Sequence, residues 1–188
     1  VLVVGCGYVG LPLALELARQ GHTVFGLRRS TGAQETLRQA GVTPLVADLT
    51  QPDSLAKLPR DLDWVVNCVA SGGGGVEDYR SLYLEGMRNL IEWLVPGRAN
   101  GTPRVVYTSS TGVYGQNDGS LVDESSPTQP ASETARVLVE TEQVLLAAGR
   151  ERNFPAMVLR AAGIYGPERG YLLKQFLRGE ARIEGAGA

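Results

Sequence analysis

Residues 1–15 read VLVVGCGYVGLPLAL, and they limit the chain more than any other stretch. Val1 to Val4 form a short continuous apolar run, as a strand buried on both faces requires. Leu11, Ala14, Leu15 and Ala18 then share one face of a helix, which Gly21 can end as a C-cap. Between strand and helix lies GxGxxG. Its glycines allow, in turn, a tight turn, close approach of backbone to a pyrophosphate, and close packing of helix on strand. The helix N-terminus adds free N–H groups and the positive end of a dipole. Glycines also serve ordinary turns, so the motif alone is a weak signal. Its place at the opening of the first strand–helix unit gives it force, and assigns Gly5, Gly7, Tyr8, Val9 and Gly10 to a dinucleotide.

The same alternation continues along the chain. Further strands are expected at 23–27, 43–47, 64–69, 104–108 and 156–160, with helices at 11–20, 31–40, 79–94 and 133–148. Strands alternating with helices make βαβ units, hence a parallel sheet covered on both faces. The expected class is α/β, a doubly wound parallel sheet, forming one dinucleotide-binding domain over 1–188.

At the end of the second strand an acidic residue would hold the ribose 2′-hydroxyl of NAD. Arg28 and Arg29 stand there instead, the first of them eighteen positions after Gly10. A guanidinium fork matches a 2′-phosphate, so NADP is the expected cofactor, with NAD left open. Solvated surface arginines are the plain alternative. After the third strand, Asp48 can accept a hydrogen bond from the adenine amino group while Leu49 packs on the ring. Asp48 also suits the N-cap of a segment starting at Thr50, and the two roles are compatible.

Composition narrows the partners. A net charge of −2 argues against a nucleic-acid or anionic-membrane surface. No apolar run approaches the roughly 20 residues of a membrane span. Cys6 and Cys68 are far apart and in no CxxC pair, which excludes a disulfide framework or zinc site and suits a reducing cytoplasm. His22, the one histidine, reads as a surface residue in a turn. Val1 already lies inside a strand and Gly185 to Ala188 read as loose. We therefore read the chain as a fragment, or a trimmed part, of a longer protein. The expected partner is a small-molecule substrate, and a homodimer stays open.

Six pieces in order, GCGYVG (5–10), ADL (47–49), NCVA (67–70), YTSSTGVYG (107–115), DESSPTQP (123–130) and LRAAGIYGP (159–167), resemble the extended short-chain dehydrogenase/reductase superfamily. The likeness is to its nucleotide-sugar epimerase/dehydratase type, in an atypical branch, and covers nearly the whole chain. It implies a Rossmann fold that binds NAD(P), with cofactor contacts extending to Val69, Ala70 and Thr108. It also implies that most of a C-terminal substrate-binding part lies after this chain, to which RGEARIEGAGA (178–188) resembles the run-in.

The family's acid/base set uses a hydroxyl residue, a Tyr-x-x-x-Lys pair and an Asn. By resemblance the hydroxyl residue falls on Ser110, with Thr111 a substitute or second donor. The pair falls on Thr134 and Leu138, and the Asn on Tyr83. A threonine hydroxyl titrates far above a phenol and cannot shuttle protons, and Leu138 supplies no cation to change that. Arg136 points to a different helical face. Ser110, Thr111 and Tyr83 are the candidate reacting residues. Tyr114 is read as a structural part of the VYG turn, and helix packing also accounts for Tyr83. Glu140 and Glu142 read as a solvated helix face. Tyr165-Gly166-Pro167 resembles the loop that closes over the nicotinamide, where a fold role suffices. Two functions stay open: an oxidoreductase or isomerase with a rearranged acid/base set, and a silent NADP(H)-binding sensor or scaffold.

Overall fold

In the computed structural model, which describes residues 1–94, 102–180 and 182, six strands form one parallel sheet. They are β1 (Leu2–Val4), β2 (Phe25–Arg28), β3 (Thr43–Val46), β4 (Trp64–Asn67), β5 (Arg104–Ser110) and β6 (Ala156–Ala161). Their spatial order is β3-β2-β1-β4-β5-β6. β2 starts two residues later than the sequence pattern, β3 stops at Val46 and β4 at Asn67, while pairing extends the far ends of β2, β5 and β6. Arg28 joins β2 opposite Val46, and Ser109 and Ser110 join β5 opposite Arg160 and Ala161.

Side chains alternate across the sheet, so β1 feeds two cores. Val3 packs with Cys6, Ala14, Val24, Leu37 and Val42 beneath α1 (Gly10–Arg19) and α2 (Gln34–Gln39). Leu2 and Val4 face the other way, into a larger cluster with Leu55 of α3 (Pro52–Leu55), Met87 and Leu90 of α5 (Gly86–Leu94), and Leu145 of α6 (Glu133–Glu151). Each such side chain, fully buried, stabilises the fold by about 1.5–3 kcal/mol. β6 is an edge strand whose Met157 and Leu159 stay about half exposed, at 54% and 49%.

Helix ends follow the glycines. Gly21 takes φ +88°, and the next amide, of His22, donates to Leu17 O at 3.1 Å. Gly41 repeats the device at φ +77°, with Val42 N donating to Leu37 O at 2.9 Å. The helix expected at 79–94 differs more. It begins as α4 (Val76–Tyr79), passes through a π-helical stretch, Arg80–Glu85, and continues as α5. Apolar spacing is read at 3.6 residues per turn and carries no mark of a widened turn. α3 opens on Pro52, a start signal the alternation of longer elements hides, and α7 (Tyr171–Leu177) follows β6. The loose tail at 185–188 lies outside the described residues. Among the described residues no helix is long and apolar enough to cross a membrane, and no cluster of metal-binding side chains occurs.

Candidate functional site

The strand order reverses between β1 and β4, and a doubly wound sheet opens a crevice at such a point, outside the carboxyl ends of its strands. A cavity of about 510 Å³ lies there, walled by the glycine loop and the ends of β2, β4 and β5. The three glycines of the loop meet different surroundings. Gly5 turns the chain at φ +84°, and a Cβ there would strike Val69 Cα at 2.8 Å. At Gly10 a Cβ would collide with the Gly5 carbonyl oxygen and crowd Val3 Cγ1, so only glycine lets α1 sit this close to β1. At Gly7 the nearest atom is 4.0 Å away, and the position faces open space beside the cavity. Tyr8 and Val9 complete the loop wall, and Val9 is the N-cap of α1 without a side-chain cap.

Among the described residues the wall carries Arg28, Arg29 and Arg169 and no carboxylate. None of the three has an ion-pair partner among those residues. Leu49 lines the cavity, but Asp48 does not. The Asp48 carboxylate instead accepts from Thr50 N and Thr50 Oγ1, both at 2.9 Å, so the local turn occupies it, and the helix that follows starts at Pro52. Val69 and Ala70, just past β4, and Thr108 of β5 line the wall. Cys68 Sγ lies 3.6 Å from Thr108 Oγ1. Burial pushes both thiols up, Cys6 to about 11 with Cys68 adding to the effect, so neither is a ready nucleophile.

At the reacting end the structure gathers Ser110 and Tyr83 and leaves Thr111 out of the wall. Ser110 Oγ accepts from Gly112 N at 3.1 Å and caps the short 3₁₀ turn Thr111–Val113. Tyr83, in the π-helical stretch, is buried, and its hydroxyl accepts from Ser71 N at 2.9 Å. Its ring lies 4.9 Å from that of Tyr79. Helix packing thus describes Tyr83, although the residue also lines the cavity. Leu138 reaches the wall and Thr134 does not, its hydroxyl lying 3.3 Å from Ser132 Oγ. Leu138 therefore gives this part of the wall an apolar surface.

A third phenol, Tyr107, escaped the sequence reading because it sits inside an apolar strand run. It lines the cavity fully buried, and among the described residues its hydroxyl makes no hydrogen bond of good geometry, with Ser109 beside it. Burial first, then the neighbouring Tyr83 and Glu142, holds its ionisation far above the ordinary phenol value. It can donate a hydrogen bond but cannot act as a base near neutrality.

Glu142 corrects the expectation of a solvated face, being 2% exposed. Its carboxylate accepts from Ser109 Oγ at 2.6 Å and from Arg160 Nη2 at 2.8 Å. Arg160 in turn donates to Tyr114 Oη at 2.9 Å and lies 5.0 Å over that ring, and Tyr114 Oη donates to Asp123 O. This network ties α6 to β5, β6 and the segment after the 3₁₀ turn, and gives Tyr114 its structural role. The spacing that puts Glu142 one turn past Leu138 on the buried stripe was visible in the sequence. Glu140, by contrast, is half-exposed and pairs with Arg80 at 2.9 Å.

Over residues 1–179 the chain matches the NAD dependent epimerase/dehydratase family. It belongs to that family. Protein YeeZ of Escherichia coli (strain K12) is 32% identical over 180 residues, which cover 90% of this chain and 60% of YeeZ. A Methylobacillus flagellatus structure assigned to the NAD-dependent epimerase/dehydratases is 37% identical with TM-score 0.75, covering 97% of this chain and 60% of that one. UDP-glucose 4-epimerase of Thermus thermophilus, solved as a complex with NAD, is 25% identical with TM-score 0.75, covering 88% of this chain and 56% of the epimerase. The chain thus spans about 60% of the length of the relatives it matches first. The expected fold is the observed one, an NAD-binding Rossmann sheet of the epimerase/dehydratase type.

Proposed function

We propose that this chain is the dinucleotide-binding part of an oxidoreductase or isomerase that prefers NADP(H) over NAD(H). It acts on a nucleotide-sugar-like or other small polar substrate, with a non-standard acid/base set. The observation that carries the cofactor reading is the charge of the crevice. Among the described residues it holds three unpaired arginines and no carboxylate, with two of the arginines at the end of β2. A cavity of one sign focuses the field on an anion, and a 2′-phosphate is the group by which NADP exceeds NAD. Gly5, Gly7, Tyr8, Val9 and Gly10 cradle the pyrophosphate in this reading, Leu49 packs on the adenine, and Val69, Ala70 and Thr108 flank the nicotinamide half. Asp48 would have to leave Thr50, or bind with its second oxygen, to reach the adenine.

Ser110, Thr111 and Tyr83 remain the proposed reacting residues, with Ser110 positioning a substrate oxygen. Leu138 in the wall favours a second reading, a catalytically silent NADP(H) sensor or scaffold, because no cation there can lower a neighbouring pKa. Two measurements on the full-length protein separate these readings. Calorimetric titration should give tighter binding of NADP(H) than NAD(H), and equal or reversed affinities would end the cofactor reading. Assays on a panel of nucleotide sugars, beside a Thr134→Tyr, Leu138→Lys double variant, should show little of the family's ordinary turnover without the restored pair. Robust wild-type turnover that survives removal of Ser110 and Tyr83 one at a time would end the assignment of those residues.

A further inference from the structure

The segment after β6 folds back on the glycine loop. Gly166 and Arg169 bridge each other as a tight turn, with Arg169 N donating to Gly166 O at 3.0 Å and Glu168 at φ +64°. That turn is fastened to Tyr8. The Tyr8 hydroxyl donates to Pro167 O at 3.0 Å, and a Cβ on Gly166 would strike that hydroxyl at 2.5 Å. The Arg169 guanidinium lies 4.4 Å over the Tyr8 ring, and Arg169 lines the cavity. A side chain of the glycine loop thus carries, on its face, an exposed cation brought from 161 residues further along the chain. Stacking holds the guanidinium plane without consuming its five N–H donors. No carboxylate pairs with it among the described residues.

We infer that Arg169 is a diphosphate-binding residue, presented over the glycine loop by Tyr8, and that it grips the pyrophosphate of the bound dinucleotide. The inference rests on the dinucleotide reading above but not on the choice between NADP and NAD. Gly7 leaves the backbone of the loop open, and Arg169, held over the Tyr8 ring in the same cavity wall, supplies a charge that the loop lacks. Arg28 and Arg29 stand at the end of β2, outside the Tyr8 stack, and serve the 2′-phosphate in the reading above. The two sets of cations therefore divide the cofactor's anionic groups between them. The same diphosphate chemistry occurs in a nucleotide sugar, so the test must tell the two sources apart.

The test uses the full-length protein with NADP, NAD and UDP as separate probes, titrated by calorimetry at two salt concentrations. Arg169→Gln should weaken NADP and NAD by the same factor, about tenfold or more for a lost charge-assisted bond. It should also flatten the salt dependence of both, while UDP binding is unchanged. Tyr8→Phe, which keeps the ring and loses only the bond to Pro167, should have a smaller effect of the same kind. Arg169 is exposed, so the variant should melt as the wild type does. If wild-type NADP and NAD bind equally and Arg169→Gln still weakens both, the cofactor preference falls and the clasp stands. If Arg169→Gln weakens UDP alone, or leaves all three probes unchanged, the assignment is overturned.

Discussion

The β1–β2 end of the crevice and the β5–α6–β6 end differ in what holds them together. At the first end backbone geometry dominates: Gly5 turns, Gly10 packs and Gly7 stays open, with unpaired arginines beside them. At the second end a buried ionic network dominates, joining Ser109, Glu142, Arg160 and Tyr114. The first end carries the glycine loop and cations of the proposed dinucleotide site. The second end presents Leu138 to the cavity and is tied down by a carboxylate that Arg160 and Ser109 already occupy. The proposed binding role of one end and the packing role of the other are therefore expected to be separable by mutation.

The largest effect is expected at the ionic end. Glu142→Ala leaves the Arg160 guanidinium, 21% exposed, without its partner and opens a void beside α6. Removing one member of a buried pair costs about 3–5 kcal/mol. Arg160 is partly exposed and keeps its bond to Tyr114, so chemical denaturation should show a loss at or below the lower end of that range, and a loss under about 1 kcal/mol would mean that the network is ornamental to stability. An arginine stays protonated throughout the neutral range, so the effect should persist there rather than vanish by proton loss.

At the other end the fold should survive what binding does not. Gly7→Val places a side chain in open space, so thermal stability should change little while dinucleotide binding is abolished. Gly10→Val, which collides with the Gly5 carbonyl and Val3, should lower stability as well as binding. Similar melting temperatures for the two variants would contradict the division of labour among these glycines.

A smaller and more selective change is expected at Arg28. Arg28→Asp should weaken NADP binding by about 1.5–3 kcal/mol, the worth of a charge-assisted hydrogen bond, and leave NAD nearly unaffected. Parallel titrations check this, and an equal loss for both cofactors would move Arg28 from the 2′-phosphate to a shared group.

The smallest effect concerns Cys6. Its thiol is raised in the folded state to about 11, so the folded chain holds this proton more tightly than the unfolded chain. Stability from this source is full at neutral pH and falls as pH rises from the unfolded thiol value towards about 11. Cys6→Ala should flatten that part of a stability–pH curve. An unchanged slope would assign the alkaline loss to other groups.

Much of the cofactor end was legible from the sequence because its signals are local. The glycine spacing, the apolar run before it and the arginine pair after β2 each act within a few residues of where they are written. The reacting end was legible only in part. Ser110, Thr134 and Leu138 could be located from motif order, but Glu142 was misplaced because a carboxylate on a helix reads as solvated until its partner is known. That partner lies 18 residues away on β6, and the strand's register decides whether the two meet.

By itself the sequence determined the alternation of strands and helices, the glycine loop and the absence of an acid at the end of β2. These depend on backbone sterics and on periodicity, which neighbours in the chain fix. Only the tertiary structure decided that Glu142 is buried against Arg160, that Asp48 turns to Thr50, that Tyr107 keeps an unmet hydroxyl and that Arg169 stacks on Tyr8. Asp48 is settled by a local turn and Arg169 by a loop that folds back at the surface, but Glu142 and Tyr107 depend on which groups from distant parts of the chain share one low-dielectric space. There the free energy of a polar group depends on the partner it finds, and its residue type alone does not set it.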